Sequence, residues 1–426
     1  MRRAKRARAA VNSTLTIDVL VALAVVVVTG RLLGKALGWI GQPPVIGEVL
    51  AGILLGPSLL GHASPSFEAR LFPEAVKPAL AVVAQIGVIL YMFAVGVEFD
   101  AAALRKRAAP FILVSQASIA LPFLLGLAIA ALIRPEFAGP GVSSAAFALF
   151  MGVAMSITAF PVLARILTDR RLARTELGVA ALSCAAVGDV TAWCLLAIVV
   201  GVTRAALSSA FAAAILAAVF IALMLVVARP IAVRLARAGE PGEATHEAIG
   251  WTLAGLLVSA VVAEAIGIHA IFGAFIYGAI LPTDSAIGRA LSIERTPVVT
   301  ILFLPAFFAL TGLRTEIGLV ATPHDWAICG LITAAAVAGK FGGTLAGGRF
   351  VGLPWRFAAR LGILMNTRGL MELVVLNVGL DLGVLSPRLF TMMVLMAIVT
   401  TAMTAPLLDA LQEEPILVAA EERRQQ

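Results

Sequence analysis

The sequence predicts an all-α polytopic membrane protein with about 13 transmembrane helices, and two observations carry the prediction. Of its 426 residues, 61% are hydrophobic and only 13% are charged, whereas a soluble domain is closer to half apolar and a quarter charged. The apolar residues also run unbroken for about 20 positions, which is the length that an α-helix needs to cross the hydrocarbon core. Spanning β-strands would instead alternate apolar and polar residues over about ten positions.

Charge, glycine and proline divide the apolar runs and give the order of the expected helices. The spans are 15–40, 43–61, 79–99, 110–133, 142–167, 175–202, 205–229, 247–266, 268–282, 296–312, 325–350, 354–381 and 388–411. The basic segment 1–14 and the charged segment 412–426 are expected to be disordered tails. Because no clear cleavage site follows the basic start, the first span is expected to remain as an uncleaved helix.

The net charge of +7 lies in short loops, so it indicates membrane topology rather than nucleic-acid binding. The richer set of alternate loops contains Arg105, Lys106, Arg107, Arg170, Arg171, Arg174, Arg229, Arg234, Arg237, Arg289, Arg295, Arg356 and Arg360. The positive-inside rule places these loops in the cytoplasm, with the N-terminus outside and the C-terminus inside a cell membrane. The basic residues of 1–14 argue for the opposite orientation, and the more numerous internal loops outweigh them.

No P-loop, zinc-type spacing or nucleophile elbow occurs, so the parts of an ATP-driven pump or a membrane hydrolase are missing. Cys184, Cys194 and Cys329 all fall inside apolar runs and are expected to be small packing residues. We therefore expect no enzymatic activity, no cofactor and no resident metal ion.

A single carboxylate in the middle of an apolar run is the first candidate site residue. Asp189 lies in the span 175–202, where an ionised side chain costs several kcal/mol and commonly serves a function. Asp189 is therefore expected to bind and release a cation or a proton, and a buried structural ion pair is the alternative.

Polar residues and proline interrupt the span 142–167. Ser156 and Thr158 stand just before Pro161, which removes a helical hydrogen bond and clashes with the preceding turn. The helix is expected to break or kink near Thr158, with the hydroxyl groups of Ser156 and Thr158 available to a bound ion.

The span 354–381 is interrupted in the same way. Thr367, the charged Arg368 and Gly369 stand in mid-run, and unwound backbone at membrane depth is tolerated only inside protein or along a cavity. Two broken helices in corresponding places are the best sequence indication of a transporter's binding site. A kink that serves packing alone is the alternative for each break.

A faint internal repeat indicates two halves of opposite orientation. The run 46–57 (IGEVLAGILLGP) is echoed by 271–282 (IFGAFIYGAILP), and both pair small residues at four-residue spacing, which lets helices approach closely. Six of the expected spans lie between the two runs, so the runs have opposite orientation, as in a transporter built from inverted repeats.

Five further polar side chains need an explanation. Lys340 lies near the middle of the span 325–350, so it needs a counter-charge, for which Asp189 or a carbonyl at a helix break is expected. Arg368 and Glu372 are four residues apart and are expected to pair across one turn, in a structural or a functional role. Glu264 is expected near a span end facing solvent, and His269, at the start of a helix, is a lesser candidate for a pH-sensing group.

These motifs together resemble the monovalent cation:proton antiporter superfamily in its second branch, the sodium/proton exchanger family. The matching segments are 44–48 (PVIGE), 55–57 (LGP), 156–165 (SITAFPVLAR), 188–190 (GDV), 268–275 (IHAIFGAF) and 366–373 (NTRGLMEL). The last two are most similar to the plant and fungal potassium/proton exchangers and their bacterial relatives, and the same branch also contains the potassium efflux antiporters.

The resemblance implies two crossed discontinuous helices within inverted repeats, a homodimer in a lipid bilayer, and elevator movement of a core. The core would comprise about 110–202 and 325–411, the dimerisation panel about 15–99 and 247–312, and a linking helix about 205–229. Asp189 matches the ion-binding aspartate of the family, and Lys340 matches the lysine that can pair with it. Thr158, Thr367 and Ser156 would contribute to the ion site, with Arg368 and Lys340 as charge-compensating residues and Pro161 and Gly369 at the helix breaks.

One position departs from the family pattern. Electrogenic members carry two adjacent carboxylates, whereas the first position here is Gly188, so electroneutral exchange of Na⁺ or K⁺ for H⁺ is expected. No residues match the nucleotide-binding regulatory domain of the potassium efflux systems, and gating of that type is not expected. A cation channel or uniporter that uses Asp189 as a selectivity element, or a transport-dead membrane sensor, is the alternative function.

Overall fold

The computed structural model describes residues 2–98, 109–172, 175–204, 207–237, 244–266, 269–282 and 284–411. Within these ranges the chain is almost entirely helical, and the one β feature is an isolated bridge between Ala138 and Leu385. The predicted all-α class is therefore confirmed. The segment 412–426, expected to be a disordered tail, lies outside the described residues.

The helices up to the end of the span around Asp189 include both long spans and short turns. They are α1 (Arg2–Gly38), α2 (Pro44–Leu55), α3 (Leu60–Ala63), α4 (Pro65–Leu71), α5 (Val76–Glu98), α6 (Ala109–Phe137), α7 (Ser144–Ser156), α8 (Phe160–Asp169) and α9 (Glu176–Arg204). The expectation of a disordered tail over 1–14 is wrong for residues 2–14, which continue the first helix. Ala, Arg and Lys are good helix formers, and no glycine or proline separates these residues from the span.

The remaining helices follow a similar order of long spans and broken ones. They are α10 (Leu207–Leu223), α11 (Arg229–Arg237), α12 (His246–Ile266), α13 (Ala270–Ala279), α14 (Ala286–Ala290), α15 (Leu304–Leu313), α16 (Pro323–Phe350), α17 (Trp355–Met365), α18 (Leu370–Asp381) and α19 (Pro387–Ala410). A π-helical turn over Met224–Ala228 joins α10 to α11, and a second over Val299–Phe303 precedes α15.

In the described residues, 10 helices are long and apolar enough to cross a membrane. Ser144–Ser156 and Ala270–Ala279 are apolar but shorter, and the expected spans 142–167 and 354–381 each consist of two short helices. The expected count of 13 is therefore not settled by helix length. Large apolar side chains such as Leu32, Leu132 and Val226 point outward, as expected where the surrounding medium is hydrocarbon.

The first member of the internal repeat, α2, crosses α15 with its backbone almost in contact. A Cβ atom on Gly52 would overlap the carbonyl oxygen of Ala309, and one on Gly312 would overlap that of Val49. Only glycine leaves room for this approach, which brings many atoms of the two helices into van der Waals contact.

The second member, α13, makes an equivalent crossing with α5. Cβ atoms on Gly278 and Gly96 would overlap the carbonyl oxygens of Phe93 and Phe275, respectively. In both crossings a repeat helix pairs with a helix from the other half of the chain. This exchange of partners is consistent with the inverted repeats expected from the sequence.

Helix packing separates the spans into two groups. The first, here named the core, contains α6, α7, α8, α9, α16, α17, α18 and α19, and the second, here named the panel, contains α1, α2, α5, α12, α13 and α15. Contacts between the groups are sparser and include those of α15 with α18 and of α2 with α19. The assignment of movement to the core and of dimerisation to the panel remains a prediction.

Candidate functional site

The first helix break lies between α7 and α8. α7 ends at Ser156, Ile157 is extended with φ −73° and ψ 141°, and α8 begins at Phe160. Pro161 is the second residue of α8, where its missing N–H would have had no helical partner in any case. The break expected near Thr158 is therefore present, and it precedes the proline.

The second break lies between α17 and α18. α17 ends at Met365 and α18 begins at Leu370, with Gly369 extended at φ 160° and ψ −126°. A Cβ atom on Gly369 would stand 2.6 Å from Cγ2 of Val162 in α8. Glycine is thus required here by the close approach of the two broken helices.

The two breaks cross and satisfy each other's polar groups. The amide of Ala159 donates to the carbonyl of Thr367 over 3.0 Å, and the hydroxyl of Thr158 donates to the carbonyl of Met365 over 2.9 Å. Thr158 and Thr367 are both buried. Backbone groups freed by each break would be costly in hydrocarbon, so this exchange is what permits the unwound segments at membrane depth.

Arg368 caps the carboxyl end of α7 from the opposite break. Its fully buried guanidinium donates to the carbonyls of Ala154 at 3.1 Å and Met155 at 2.5 Å, and to Glu372 Oε2 at 2.7 Å. A cation at a helix C-terminus compensates the partial negative charge of the exposed carbonyls. The expected pairing of Arg368 with Glu372 across one turn is confirmed.

Lys340 reaches the same crossing from α16. Its buried ammonium donates to the hydroxyl of Thr158 over 2.7 Å. In the part of the chain that the structure describes, Lys340 forms no ion pair with Asp189. Of the two expected partners of Lys340, Asp189 is therefore not the one found in this conformation. The partner is a hydroxyl group at a helix break, where the second expectation had placed a carbonyl.

Asp189 lies in the middle of α9 with 3% of its surface exposed. Its Oδ1 atom is buried and has no hydrogen-bond partner among the described residues. Such an oxygen is costly to bury unless a proton or a cation occupies it for part of the time. The alternative of a structural ion pair therefore finds no support in this conformation.

The other expected site residues lie at the crossing but differ in their contacts. Ser156 donates to the carbonyl of Val153 within its own helix at 2.9 Å, and the hydroxyls of Thr367 and Thr404 are 3.5 Å apart. The structure thus joins Thr158, Lys340 and the second break in one network, and no hydrogen bond links Ser156 or Asp189 to that network in the described residues.

The sequence reasoning missed two polar residues of the site. Thr401 of α19 accepts from the amide of Arg368 at 3.0 Å and donates to its carbonyl at 2.7 Å. Asn366 is buried, and its Oδ1 atom lacks a partner among the described residues. The hydroxyl residues at 400, 401 and 404 in an apolar span were the available signal for Thr401.

Glu264 and His269 serve the start of α13. The carboxylate of Glu264 accepts from the amide of Ala270 at 2.8 Å, and His269 Nδ1 accepts from the amide of Ile271 at 3.5 Å. Both are interactions of helix N-capping. Glu264 is exposed near the end of its span, as expected.

Comparison with known proteins gives independent evidence on the family. The transmembrane sodium/hydrogen exchanger family model matches residues 21–410. The Na(+)/H(+) antiporter NhaS4 of Synechocystis sp. is 44% identical over 93% of this chain and 98% of its own length. The K(+)/H(+) antiporter 1 of Saccharomyces cerevisiae is 34% identical over 86% of this chain and 43% of its own length.

A plant relative and a solved structure complete the comparison. Cation/H(+) antiporter 18 of Arabidopsis thaliana is 41% identical over 91% of this chain, which spans about half of that relative, 48%. The structure of the sodium proton antiporter MjNhaP1 from Methanocaldococcus jannaschii superimposes with a TM-score of 0.68 at 14% identity, covering 93% of this chain and 99% of that one. The fold is therefore shared, and the resemblance read from the motifs is confirmed: the chain belongs to the transmembrane sodium/hydrogen exchanger family.

Proposed function

We propose that the protein is a secondary active transporter that exchanges a monovalent cation, Na⁺ or K⁺, for H⁺ across the membrane. The observation that carries the proposal is the buried, unpartnered carboxylate oxygen of Asp189 in a spanning helix of the group that holds the two crossed breaks. The printed names of the relatives, which include Na(+)/H(+), cation/H(+) and K(+)/H(+) antiporters, support exchange of this kind.

The chemistry of exchange rests on competition at one carboxylate. Asp189 binds either a proton or the cation, so each ligand displaces the other and the two fluxes are coupled. A hard monovalent cation prefers oxygen ligands, and the hydroxyls of Ser156, Thr158 and Thr367 with freed backbone carbonyls supply them. The Lys340 ammonium and the Arg368 guanidinium compensate negative charge at the crossing when the cation leaves.

Release on the other side needs a change of access. In this proposal the core carries Asp189 past the panel in an elevator-type movement, while the panel holds two copies of the chain together as a homodimer. The sparse packing between core and panel supports such sliding. The N-terminus lies outside and the C-terminus inside, as the distribution of basic loops indicates.

The stoichiometry follows from Gly188, where electrogenic family members have a second carboxylate. A Cβ atom at this position would lie 3.4 Å from Oγ of Ser115 on α6, which is an ordinary close contact. With a single carboxylate, one cation is exchanged for one proton, and the proposed transport is electroneutral.

The test is reconstitution in liposomes that contain a pH-sensitive dye. Addition of Na⁺ or K⁺ is expected to release protons from the lumen at a rate that does not change with an imposed membrane potential. Asp189→Asn should abolish this flux in a folded, membrane-inserted protein, because an amide cannot exchange a proton for a cation. The matched control is Asp284→Asn, which changes an exposed carboxylate between α13 and α14 and should exchange normally.

Other outcomes separate the alternatives. Cation uptake without proton movement would identify a channel or uniporter and overturn the proposal. Cation-dependent proton flux retained by Asp189→Asn would remove Asp189 from its proposed role. A flux driven by membrane potential would mean that a second charge moves, and the electroneutral stoichiometry would be wrong.

A further inference from the structure

Trp193 lies one helical turn after Asp189 on the same face of α9. Residues four apart on a helix are neighbours on its surface, and these two side chains are 2% and 3% exposed, respectively. The Nε1 atom of Trp193 and the Oδ1 atom of Asp189 are both buried and lack hydrogen-bond partners among the described residues. An indole N–H can only donate and an ionised carboxylate can only accept, so the two unmet requirements are complementary.

The ring of Trp193 is held at the boundary between core and panel. It packs against Phe272 of α13 with ring centroids 6.5 Å apart and planes inclined by 49°. The apolar body of the indole is thereby buried, while its N–H remains a polar handle. A buried polar group of this kind normally finds a partner or an ordered water.

The other polar side chain on this turn of α9 is Thr191, and it is already engaged. Thr191 donates to the carbonyl of Val187 at 3.0 Å and accepts from Gln116 at 2.9 Å. On α6, Ser115 donates to the carbonyl of Cys184 at 2.8 Å. The Asp189 carboxylate is therefore the acceptor that this turn of α9 offers to Trp193.

We infer that Trp193 is a positioning residue for exchange, whose indole N–H donates to the ionised Asp189 carboxylate directly or through one bound water. Hydrogen bonds to an ionised carboxylate are short and strong, and they favour the charged form over the protonated one. Trp193 thereby holds Asp189 ready for the cation and weakens the competing proton. This inference rests on the proposed function of Asp189.

The helices packed against α9 are α6, α7, α8, α10 and α17. On α7, Ser156 donates to the carbonyl of Val153 within its own helix. On α16, the buried ammonium of Lys340 donates to the hydroxyl of Thr158, and the Cys184 thiol on α9 itself donates to the carbonyl of Phe111. On α6 the facing groups, Ser115 and Gln116, are neutral. On α17, Arg360 lies in the middle of the helix, before the break that follows Met365. None of these groups replaces the N–H that a change at Trp193 removes.

The experiment compares Trp193→Phe, which retains an aromatic ring against Phe272 but has no N–H, with Trp251→Phe, which alters an indole that is 60% exposed on α12. In proteoliposomes, Trp193→Phe is expected to raise the cation concentration for half-maximal exchange by about tenfold. The pH profile should move to higher pH by about one unit, because protons then compete more strongly. Trp251→Phe should match the native protein in both measurements.

Phe272→Leu distinguishes the N–H from ring packing. It disturbs the ring contact and keeps the indole. The cation concentration for half-maximal exchange should therefore stay within about twofold of the native value, and the pH profile should not move. An equal shift in Phe272→Leu and Trp193→Phe would assign the effect to packing and overturn the inference. Unchanged cation requirement and pH profile in a folded Trp193→Phe protein would overturn it as well.

A second measurement does not depend on transport and keeps the indole in place. The other four tryptophans, all exposed, are Trp39, Trp251, Trp326 and Trp355. With these replaced by phenylalanine, the emission of Trp193 should shift on titration with Na⁺ or K⁺, and Asp189→Asn should abolish the shift. If the native protein exchanges ions but this emission is insensitive to both cations and to pH, the inference fails while the proposed function stands. If the native protein moves no protons with either cation, it is the proposed function that fails.

Discussion

The panel and the core both depend on two helices crossing at close range, and they achieve it with opposite chemistry. In the panel, α2 and α15 meet through Gly52 and Gly312, where no side chain intervenes. In the core, the helices themselves break, and Arg368 and Thr158 donate to the freed carbonyls, while Lys340 donates to Thr158 in turn. An intact helix leaves no polar group to recruit an ion, whereas a broken one must collect polar partners. The comparison indicates why the candidate site lies in the core.

The largest expected effect comes from removing the buried cation of the core crossing. Arg368→Met deletes the bonds to Ala154 and Met155 and leaves the Glu372 carboxylate buried without its partner. Breaking a buried pair from one side typically costs about 3–5 kcal/mol. We expect a large fall in the thermal unfolding temperature of detergent-solubilised protein, measured by fluorescence-detected size exclusion.

The matched control for this prediction is the double variant Arg368→Met with Glu372→Met. It removes both charges, so it should recover part of the lost stability while the carbonyls at the end of α7 remain uncapped. A single variant that is as stable as the native protein would show that the guanidinium is not needed to hold the core crossing together.

A smaller effect is expected at the panel crossing. Gly52→Ala places a methyl group on the carbonyl oxygen of Ala309, and such overpacking costs about 1–3 kcal/mol. Gly330→Ala is the control, because a Cβ atom there has nothing within 4 Å and alanine favours a helix over glycine by about 0.5–1 kcal/mol. The unfolding temperatures should therefore move in opposite directions. A fall of equal size in both variants would mean that the loss of stability does not come from the close helix crossing.

The smallest effect is expected where panel and core touch. Arg314, just after α15, donates to Asn377 and Asp381 of α18, each at 2.9 Å. The ion pair is partly exposed, and exposed pairs contribute about 0–1 kcal/mol. Arg314→Gln should therefore lower the unfolding temperature only slightly. Lys77→Gln, which removes an exposed ion pair with Glu74 inside the panel, is the control. A loss several times larger for Arg314→Gln would indicate that panel and core behave as one rigid body.

Much of this arrangement could be predicted from the sequence because charge and proline are rare in apolar runs. Asp189, Lys340 and the break near Thr158 were each identified by that rarity, and the structure buries all three within the expected spans. The position of the first break relative to Pro161 is also set by local rules, since proline fits the first turn of a helix.

The remaining features depend on contacts that are distant in sequence. The hydrogen-bond partner of Lys340 is the Thr158 hydroxyl, 182 residues away. Nothing in the sequence near Lys340 indicates that its partner is Thr158 rather than Asp189. Thr401 was missed although hydroxyl residues at 400, 401 and 404 stand in an apolar span. A hydroxyl in a helix commonly bonds the carbonyl four residues earlier, and that of Ala397 is 2.8 Å away, so such a residue does not by itself indicate a partner on another helix. The expected spans 142–167 and 354–381 each form two short helices, because a broken helix is one apolar run in the sequence.

Because the two breaks bond each other, the crossing cannot form until both halves of the chain have been synthesised. Thr158 donates to a carbonyl 207 residues further along the chain, and at a synthesis rate of ~5–20 residues per second that carbonyl follows after roughly 10–40 seconds. During this interval the first unwound segment lacks its partners, and hydrocarbon offers none. The newly inserted first half must therefore be sheltered by other protein until the second half arrives, so the crossing is most vulnerable while the chain is still being made.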